Sequence, residues 1–409
     1  MVRGARRRCG GSLLPPYAGE RSNGGACLRG LGADRSRARR PRSGARRSRA
    51  STCHRPAHGR SCGSRRRVIV GIDAQLGVGT ATGIGEYVRE LVTALQACGE
   101  DVRPLSSRRL DPWRFDRRVL WDQAALPLAA RRARVDLLHC ASGTMPALAS
   151  VPVVATVHDV VWLREQRHAK VYARWYFGSF SAARYRHARL IMVDSEFSRR
   201  ELTELARVDP GRVRIVYPGV SEAFSRLERK PDGDAFALVA GTVELRKNFE
   251  VAIRALRGVP NLRLVSVGPP TPYVERCRDI ARACGVEERV EIRGYVERAA
   301  LLDLYARAAM VLMPSRYEGF GLGAAQALVA GVPLLAARSS SLVEVAPAQA
   351  LLPVDDADAW GQAMRELLEA RDERERESTH LRPAARERFS WASAAARVAA
   401  CYREALVNR

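Results

Sequence analysis

From residue 68 onward, short runs of β-branched and other apolar residues alternate with stretches in which apolar residues recur at helical spacing. Several short runs are apolar throughout, as expected for parallel strands that helices cover on both faces. The stretches between them, such as 85–98, 273–284 and 358–369, are amphipathic. This alternation predicts a doubly wound α/β fold. The predicted strands cover 68–73, 136–139, 152–157, 190–193, 214–217, 235–240, 263–267, 290–292, 310–313 and 333–336.

These strands are too many for one typical sheet. The polar, turn-rich stretch at 222–234 (EAFSRLERKPDGD) divides them into two equal sets. We therefore expect two Rossmann-like domains that face each other across a cleft.

Most of the positive charge belongs to the N-terminal segment. Residues 1–67 hold 19 arginines against Glu20 and Asp34, a net charge of +17 out of +24 for the whole chain, which leaves +7 for the remainder. Segment 1–66 is rich in Arg, Gly, Ser, Ala and Pro without helix or strand periodicity, so we expect it to be disordered. Three interpretations stay open: an organellar transit peptide, an arm that binds nucleic acid or anionic membranes, and a translation start near Arg67 that would leave the segment untranslated.

Cysteine spacing and hydropathy exclude several other classes of protein. No run approaches 18 consecutive apolar residues, which argues against a membrane-spanning helix. The nine cysteines are dispersed without a Cys-x-x-Cys pair, and His54 and His58 lie in the N-terminal segment, so no metal site is predicted. Scattered, odd-numbered thiols are typical of a reducing compartment. We expect a cytoplasmic protein.

Five polar or glycine-rich motifs directly follow predicted strands. Ligands of open parallel sheets bind beyond the carboxyl ends of the strands, so these motifs should converge on one site. The motifs are 77–85, 158–159, 194–198, 241–248 and 314–321.

Two of these motifs suit a ligand that carries phosphate and hydroxyl groups. Arg246 and Lys247 precede a predicted helix over 249–256, and Asn248 is expected to cap that helix with its side chain. Two cations at the positive end of a helix suit a diphosphate, although a solvated, charged helix start would have the same sequence. Glu318 begins a glycine-rich turn whose backbone allows close approach and whose carboxylate accepts hydrogen bonds from a polyol. The alternative is a tight turn with an exposed acid.

The remaining motifs are less specific. Histidine ordinarily titrates near neutrality, and His158 suits a hydrogen bond to a sugar or phosphate, unless Asp159 merely holds it at the strand end. The loop at 77–85 lacks the glycine spacing of an NTPase or a dehydrogenase, and we predict a mobile loop over the cleft. Residues 175–186 mix aromatic and basic side chains. They suit a membrane interface or a lipid-linked acceptor, but a buried core with solvated arginines is favoured.

Together the motifs resemble those of family-four glycosyltransferases with the GT-B fold, in particular a mannosyltransferase-like subset, over about residues 68–406. The resemblance is carried by Gly83-Ile-Gly-Glu-Tyr87, Thr156-Val-His-Asp159, Ser195-Glu-Phe-Ser198, Gly241-Thr-Val-Glu-Leu-Arg-Lys-Asn248 and Pro314-Ser-Arg-Tyr-Glu-Gly-Phe-Gly-Leu322. It implies an N-terminal acceptor domain (67–224), a C-terminal nucleotide-sugar-binding domain (225–385), and a last helix (386–409) that crosses back onto the first domain.

The resemblance also implies an activity and a set of site residues. It implies transfer of a mannose-like hexose from a nucleotide-diphosphate sugar, with retention of configuration and without a metal or other cofactor. Arg246 and Lys247 would hold the diphosphate, Glu318 the transferred sugar, and His158 would reach that sugar from the opposite domain. Further donor contacts are implied for Gly241, Thr242, Gly319, Phe320, Gly321, Leu322 and Gln326, and a cleft loop for Gly83, Ile84, Gly85 and Tyr87.

Two positions depart from the family pattern. Eight residues after Glu318, where the family has a second acid for the ribose hydroxyls, this chain has Gln326, whose amide has a single acceptor oxygen. We expect this to cost on the order of 1–2 kcal/mol, or about tenfold, in nucleotide affinity. Thr242 stands where many relatives have Arg, but a subset of the family shares that change.

The expected function is a retaining glycosyltransferase that acts on a polysaccharide or lipid-linked acceptor, with peripheral contact at the inner membrane face. Nucleic acid is not an expected partner, because the chain after the N-terminal segment carries a net charge of only +7. The alternative is a catalytically weakened GT-B protein that serves as a nucleotide-sugar-binding or assembly subunit.

Overall fold

The computed structural model describes residues 67–78, 83–164, 170–231 and 233–407. The predicted disordered segment 1–66 lies outside these residues, as does the centre of the predicted mobile loop, residues 79–82. Both predictions therefore remain predictions.

Two six-stranded, entirely parallel sheets form the described part of the chain, and helices accompany both, which confirms the doubly wound α/β fold. The first sheet holds β1 (Ile69–Asp73), β2 (Asp101–Leu105), β3 (Leu137–Cys140), β4 (Val153–Val157), β5 (Leu190–Val193) and β6 (Val213–Ile215). The second holds β7 (Phe236–Ala240), β8 (Arg263–Val267), β9 (Val290–Ile292), β10 (Met310–Met313), β11 (Leu334–Ala337) and β12 (Leu351–Leu352). We call the parts of the chain built on these sheets the first and second lobes.

The helices that follow these strands vary from one turn to five. In chain order they are α1 (Gly83–Ala97), α2 (Phe115–Leu120), α3 (Leu126–Arg132), α4 (Val161–Arg164), α5 (Val171–Arg174), α6 (Ser181–Tyr185), α7 (Glu196–Ala206), α8 (Glu222–Ser225), α9 (Phe249–Ala255), α10 (Tyr273–Ala283), α11 (Arg298–Arg307), α12 (Leu322–Ala330), α13 (Leu342–Val345), α14 (Ala357–Glu369), α15 (Arg371–Arg388) and α16 (Trp391–Val407).

Strand order fixes where a ligand can bind in each lobe. The first sheet runs β2-β1-β3-β4-β5-β6, so its order reverses between β1 and β3. The second runs β12-β11-β10-β7-β8-β9, so its order reverses between β7 and β10. At each reversal the connecting helices leave on opposite faces of the sheet, and a crevice opens at the carboxyl edge.

All ten predicted strands are present to within two residues, but the prediction missed β2 and β12. Both strands lie at the edge of a sheet and pair on one side only. β2 contains Pro104 and an exposed Arg103, which an edge strand tolerates but a buried strand does not. β12 has two residues, too few for a periodic pattern. The division is therefore six strands and six, not five and five.

The last helix packs on the first lobe although it follows the second in the chain. Ala395, Val398 and Tyr402 of α16 are buried in one apolar cluster with Val70 and Leu91 of the first lobe. The chain therefore crosses between the lobes twice. The crossings touch, because the Val220 N–H donates to the Phe389 carbonyl at 2.8 Å.

Residues 175–186 are neither a uniform core nor a uniform surface. Tyr176 is buried while Trp175 is 58% exposed. The favoured prediction, that the rings are buried, is therefore wrong for Trp175.

Candidate active site

The basic motif and the acidic motif of the second lobe meet where the strand order of its sheet reverses. Residues 241–248 follow β7 and residues 314–321 follow β10, and these two strands are neighbours. Because both loops leave the carboxyl edge at the same point, their side chains come into contact. The Arg316 N–H donates to the Arg246 carbonyl at 2.8 Å, which ties the loops together.

Glu318 is the centre of an ion cluster at this point. Its Oε1 accepts hydrogen bonds from Lys247 Nζ at 2.6 Å and from Ser315 Oγ at 2.7 Å. Its Oε2 lies 3.7 Å from Arg246 Nη1. Arg246 also pairs with Glu244 at 2.7 Å. The three residues predicted to hold the donor are therefore one connected group.

Burial and charge act in opposite directions on Glu318. The side chain is 8% exposed, and burial alone would raise its pKa. The positive charges of Lys247 and Arg246 outweigh burial and hold the pKa of Glu318 below its ordinary value. The carboxylate is therefore ionised near neutral pH and accepts hydrogen bonds without donating any.

Hydrogen bonds between the Glu318 backbone and the hydroxyl groups of two serines fix the turn that carries Glu318. The Glu318 N–H donates to Ser340 Oγ at 2.9 Å, and Ser341 Oγ donates to the Glu318 carbonyl at 3.0 Å. Gly321 has φ of +90° and precedes α12, a conformation that glycine adopts without strain. The turn is therefore held in place on both sides of Glu318.

Asn248 does not cap α9 with its side chain, so that prediction is wrong. Its backbone is left-handed, with φ of +52°, and the side chain makes no capping hydrogen bond. Instead Nδ2 donates to the Val354 carbonyl at 2.8 Å and to Asp355 Oδ1 at 3.2 Å. Asn248 therefore anchors the basic loop to the segment after β12.

His158, from the first lobe, is held by a carboxylate. Its Nδ1 lies 2.6 Å from Asp194 Oδ2, and its Nε2 lies 3.2 Å from the Ala141 carbonyl. Burial would lower the pKa of His158, but the charge of Asp194 raises it above its ordinary value. Both ring nitrogens face oxygen acceptors, an arrangement that the doubly protonated, cationic ring satisfies. Asp159, the partner that we considered from sequence, instead accepts from the Val161 N–H.

The predicted cleft loop begins α1 next to His158. Tyr87 is buried, and its ring meets the His158 ring edge-on at 4.6 Å between centroids. Ile84 lines the cleft, Gly83 is exposed and Gly85 is buried.

A cleft of about 970 Å³ separates the two lobes in this region. His158, Ile84 and Trp162 of the first lobe line it together with Glu244 and Arg246 of the second. The side chains predicted to converge thus do converge: Arg246 shares the cleft with His158, and Lys247 and Glu318 are bonded beside it.

The other predicted donor residues fall into three groups. Gly241 and Thr242 line a small recess beside Lys247 and Ser315. The Phe320 side chain is buried, with its ring centroid 5.7 Å from that of Phe389. Gly319, Gly321 and Leu322 form the turn into α12.

Gln326 lies in the middle of α12 and is 8% exposed. Its amide oxygen accepts a hydrogen bond from the buried Tyr305 hydroxyl at 3.1 Å. One of the two lone pairs of the predicted ribose acceptor therefore already has a partner within the second lobe.

Sequence reasoning missed a polar cluster at the strand-order reversal of the first lobe. Arg118 is 3% exposed, and its Nη2 donates to Ser142 Oγ and Thr144 Oγ1, both at 2.5 Å. Its Nε donates to Asp122 at 3.0 Å, and Nη2 lies 3.4 Å from Asp73. Ser142 and Thr144 line the cleft, so this cluster fixes its first-lobe wall. Asp73 ends β1 and could have been found by the rule that identified His158, but Arg118 offers no such signal.

Asp194 belongs to one of the five strand-end motifs but was not predicted as a site residue. It directly follows β5, in the position that His158 occupies after β4. Among the described residues no group of three or more His, Cys, Asp or Glu could hold a metal ion. Within the same residues, the helices are all too short or too polar to cross a membrane.

Two adjoining family descriptions match this chain. The family described as "Glycosyltransferase Family 4" matches residues 81–224, and that described as "Glycosyl transferases group 1" matches residues 220–387. The first match covers most of the first lobe, and the second match covers the second lobe.

Individual relatives have moderate sequence identity. A D-inositol 3-phosphate glycosyltransferase from Xylanimonas cellulosilytica is 34% identical over 237 residues, which are 52% of this chain and 57% of the relative. The chain therefore spans little more than half the length of that relative. An MMP alpha-(1->4)-mannosyltransferase from Mycolicibacterium hassiacum is 29% identical over 312 residues, 70% of this chain and 74% of the relative.

Solved structures share the fold at lower identity. Sucrose-phosphate synthase from Thermosynechococcus elongatus superposes with a TM-score of 0.68 at 20% identity, over 84% of this chain and all of that one. The Anabaena protein HepE in complex with UDP-glucose superposes with a TM-score of 0.63 at 17% identity, over 82% of this chain and 99% of that one.

Proposed function

We propose, from the premise that this chain is a glycosyltransferase of family 4 with the GT-B fold, that it moves a mannose-like hexose from a nucleotide-diphosphate sugar to a polysaccharide or lipid-linked acceptor. The reaction retains the anomeric configuration and needs no metal ion. The name of one relative, a mannosyltransferase, supports a mannose-like donor, and that of another, an inositol-phosphate glycosyltransferase, supports glycosyl transfer.

The observation that carries the proposal is the ion cluster at the β7–β10 reversal. Lys247 and Arg246 bring two positive charges together at the edge of the cleft, where Glu318 lies against both and Glu244 pairs with Arg246. An ammonium group has three N–H donors, and the bond to Glu318 uses one. The two cations of this cluster therefore suit the negative charges of a diphosphate.

The same cluster supports departure of the nucleoside diphosphate. When the bond between the sugar and phosphate breaks, negative charge grows on the phosphate oxygen. Arg246 and Lys247 are already in place and need not reorganise, so they stabilise the charge where it develops. This substitutes for the charge that a metal ion would supply. Glu318, ionised beside them, accepts hydrogen bonds from sugar hydroxyl groups.

His158 lies on the cleft wall of the other lobe. Its Nε2 faces the Ala141 carbonyl and its Nδ1 faces Asp194, so in this conformation neither ring nitrogen is free, and the charge of Asp194 holds the pKa of His158 above its ordinary value. Cleft walls from both lobes would exclude water from the reacting bond.

A panel of GDP- and UDP-sugars, tested by mass spectrometry with polysaccharide and lipid-linked acceptors, tests the proposal. We expect release of nucleoside diphosphate and a product heavier by one hexose, with no loss of rate in EDTA. NMR of the product should show the anomeric configuration of the donor. Lys230→Ala, which removes an exposed lysine, serves as the control for surface charge.

One observation favours a nucleotide-sugar-binding subunit as the second candidate. The amide of Gln326 has a partner in Tyr305 and lacks the charge of an acid. Binding of a nucleotide sugar without turnover in this panel would favour that candidate. Failure to bind any nucleotide sugar would contradict both.

A further inference from the structure

The motif Ser195-Glu-Phe-Ser198 has no assigned part in the proposed reaction, yet it lies at the contact between the lobes. Ser195 precedes α7 and caps it, because its Oγ accepts from the Ser198 N–H at 2.9 Å. Both serines are buried, at 0% and 2% exposure. Capping the helix uses one lone pair of Ser195 and leaves its hydroxyl proton for another partner.

That partner is the donor-site turn of the second lobe. Ser195 Oγ donates to the Gly319 carbonyl at 2.6 Å, and Ser198 Oγ lies 3.0 Å from the same oxygen. Gly319 directly follows Glu318, so two first-lobe hydroxyl groups hold the backbone beside the donor-binding carboxylate.

A carboxylate of the second lobe in turn accepts hydrogen bonds from the first lobe. Glu344, on α13 of the second lobe, accepts from the Glu196 N–H at 2.8 Å and the Phe197 N–H at 2.7 Å. The first backbone N–H groups of a helix have no partner within the helix, and a negative charge is favourable there. Each lobe therefore satisfies polar groups of the other.

The contact brings the turn against the strand end that carries His158. A Cβ atom built on Gly319 would lie 2.0 Å from the His158 carbonyl oxygen, so only glycine allows this approach. The Ser198 hydroxyl lies 3.2 Å from the same His158 oxygen. The serine that holds Gly319 is thus also within hydrogen-bond distance of the backbone of His158.

We propose that Ser195, Ser198 and Glu344 are positioning residues that lock the Glu318 turn against His158 and so assemble the sugar site from both lobes. This rests on the proposed glycosyl transfer. In that step the bond from the anomeric carbon to the phosphate oxygen breaks and its electron pair leaves with the diphosphate. The acceptor oxygen bonds to the anomeric carbon and its proton passes to the diphosphate. Under this proposal the second lobe alone holds the nucleotide, whereas the sugar contacts both lobes.

The proposal predicts a separation between nucleotide binding and turnover. Glu344→Ala, and a double variant Ser195→Ala with Ser198→Ala, should lower kcat about tenfold, measured as release of nucleoside diphosphate from the donor that the panel identifies. The Kd of GDP or UDP, measured by calorimetry, should stay within about twofold. Glu344→Gln keeps one acceptor oxygen and should recover about half of the lost rate on a logarithmic scale.

Hydrogen exchange tests the lock without reference to activity. The serine double variant should accelerate exchange of second-lobe peptides covering 317–322, and Glu344→Ala should accelerate exchange of first-lobe peptides covering 195–199. Thr203→Ala is the control on the same helix, because the Thr203 hydroxyl bonds only within α7 in the described structure. If the serine variant does not fold, the two Glu344 variants still carry the test.

The outcomes separate the two proposals. A wild-type enzyme that releases no nucleoside diphosphate refutes the proposed function but leaves the exchange experiment valid. An active wild type whose variants keep kcat and show no change of exchange across the cleft refutes the lock. Loss of nucleotide affinity in parallel with kcat would also refute it, since the residues would then act on the second lobe itself.

Discussion

Substituting Lys247 and Glu318 together separates their contribution to catalysis from their contribution to stability at the candidate active site. The two side chains are 18% and 8% exposed, and their charged atoms lie 2.6 Å apart. Removing one partner of a buried pair costs about 3–5 kcal/mol, because the other charge is left uncompensated. After Lys247→Met, Arg246 at 3.7 Å and Ser315 at 2.7 Å still support Glu318. We therefore expect a smaller loss, about 2 kcal/mol in the free energy of unfolding.

The variant that combines Lys247→Met with Glu318→Gln removes both charges and nearly preserves volume. Its free energy of unfolding should lie within about 1 kcal/mol of wild type, since no buried charge is left unpaired. Turnover should nevertheless fall about 100-fold or more, about 3 kcal/mol, in each single variant and in the double variant. Stability recovers in the double variant and activity does not.

Urea unfolding gives the stabilities, and mass spectrometry of released nucleoside diphosphate gives the rates. Lys230→Met, at an exposed lysine, controls for loss of a positive charge alone. If the double variant recovers turnover to within tenfold of wild type, the pair is a structural ion pair and its assigned role in donor binding is wrong.

Three further predictions concern other parts of the site. Asp194→Asn should lower the pKa of His158, measured by NMR titration, because burial then acts without the opposing charge, and an unchanged pKa would contradict the assignment. In the wild type, the stability that this pair contributes is present below a pH of about 6.5 and is lost as the pH rises through the raised pKa of His158. Gln326→Glu should tighten nucleotide binding about tenfold by calorimetry, and equal affinity would show that this position does not contact the nucleotide. Gly268→Ala should destabilise the fold by roughly 3 kcal/mol or more in urea unfolding, because its Cβ would lie 2.1 Å from the Gly241 carbonyl oxygen; wild-type stability would show that the backbone yields there.

Strand periodicity was sufficient to predict most of both sheets and the place where the strand-end motifs meet. Continuous apolar runs identified the ten well-formed strands, and the rule that ligands bind at carboxyl ends identified His158, Arg246 and Glu318. The rule works because parallel strands deliver successive loops to one edge. Periodicity fails for β2, an edge strand whose residues need not be apolar, and for β12, whose two residues are too few for a pattern.

Contacts that depend on how two elements meet were beyond the sequence. Asn248 was expected to cap a helix, but tertiary contacts with Val354 and Asp355 placed its backbone in the left-handed region instead. Arg118 reaches Ser142 and Thr144 from a helix that carries no strand-end signal. Glu344 caps a helix almost 150 residues earlier in the chain, and no local pattern reports such a pairing.

The paired connections between the lobes restrict the kinds of relative movement that they can make. Val220 and Phe389 belong to separate passages of the chain and are bonded to each other, and a Cβ atom on Gly219 would lie 2.4 Å from the Trp391 ring. Two adjacent connections allow the lobes to rotate about the axis that passes through both of them and resist rotation about other axes. Truncating the chain before Trp391 would remove one of the two connections and expose the apolar face of the first lobe that α16 covers.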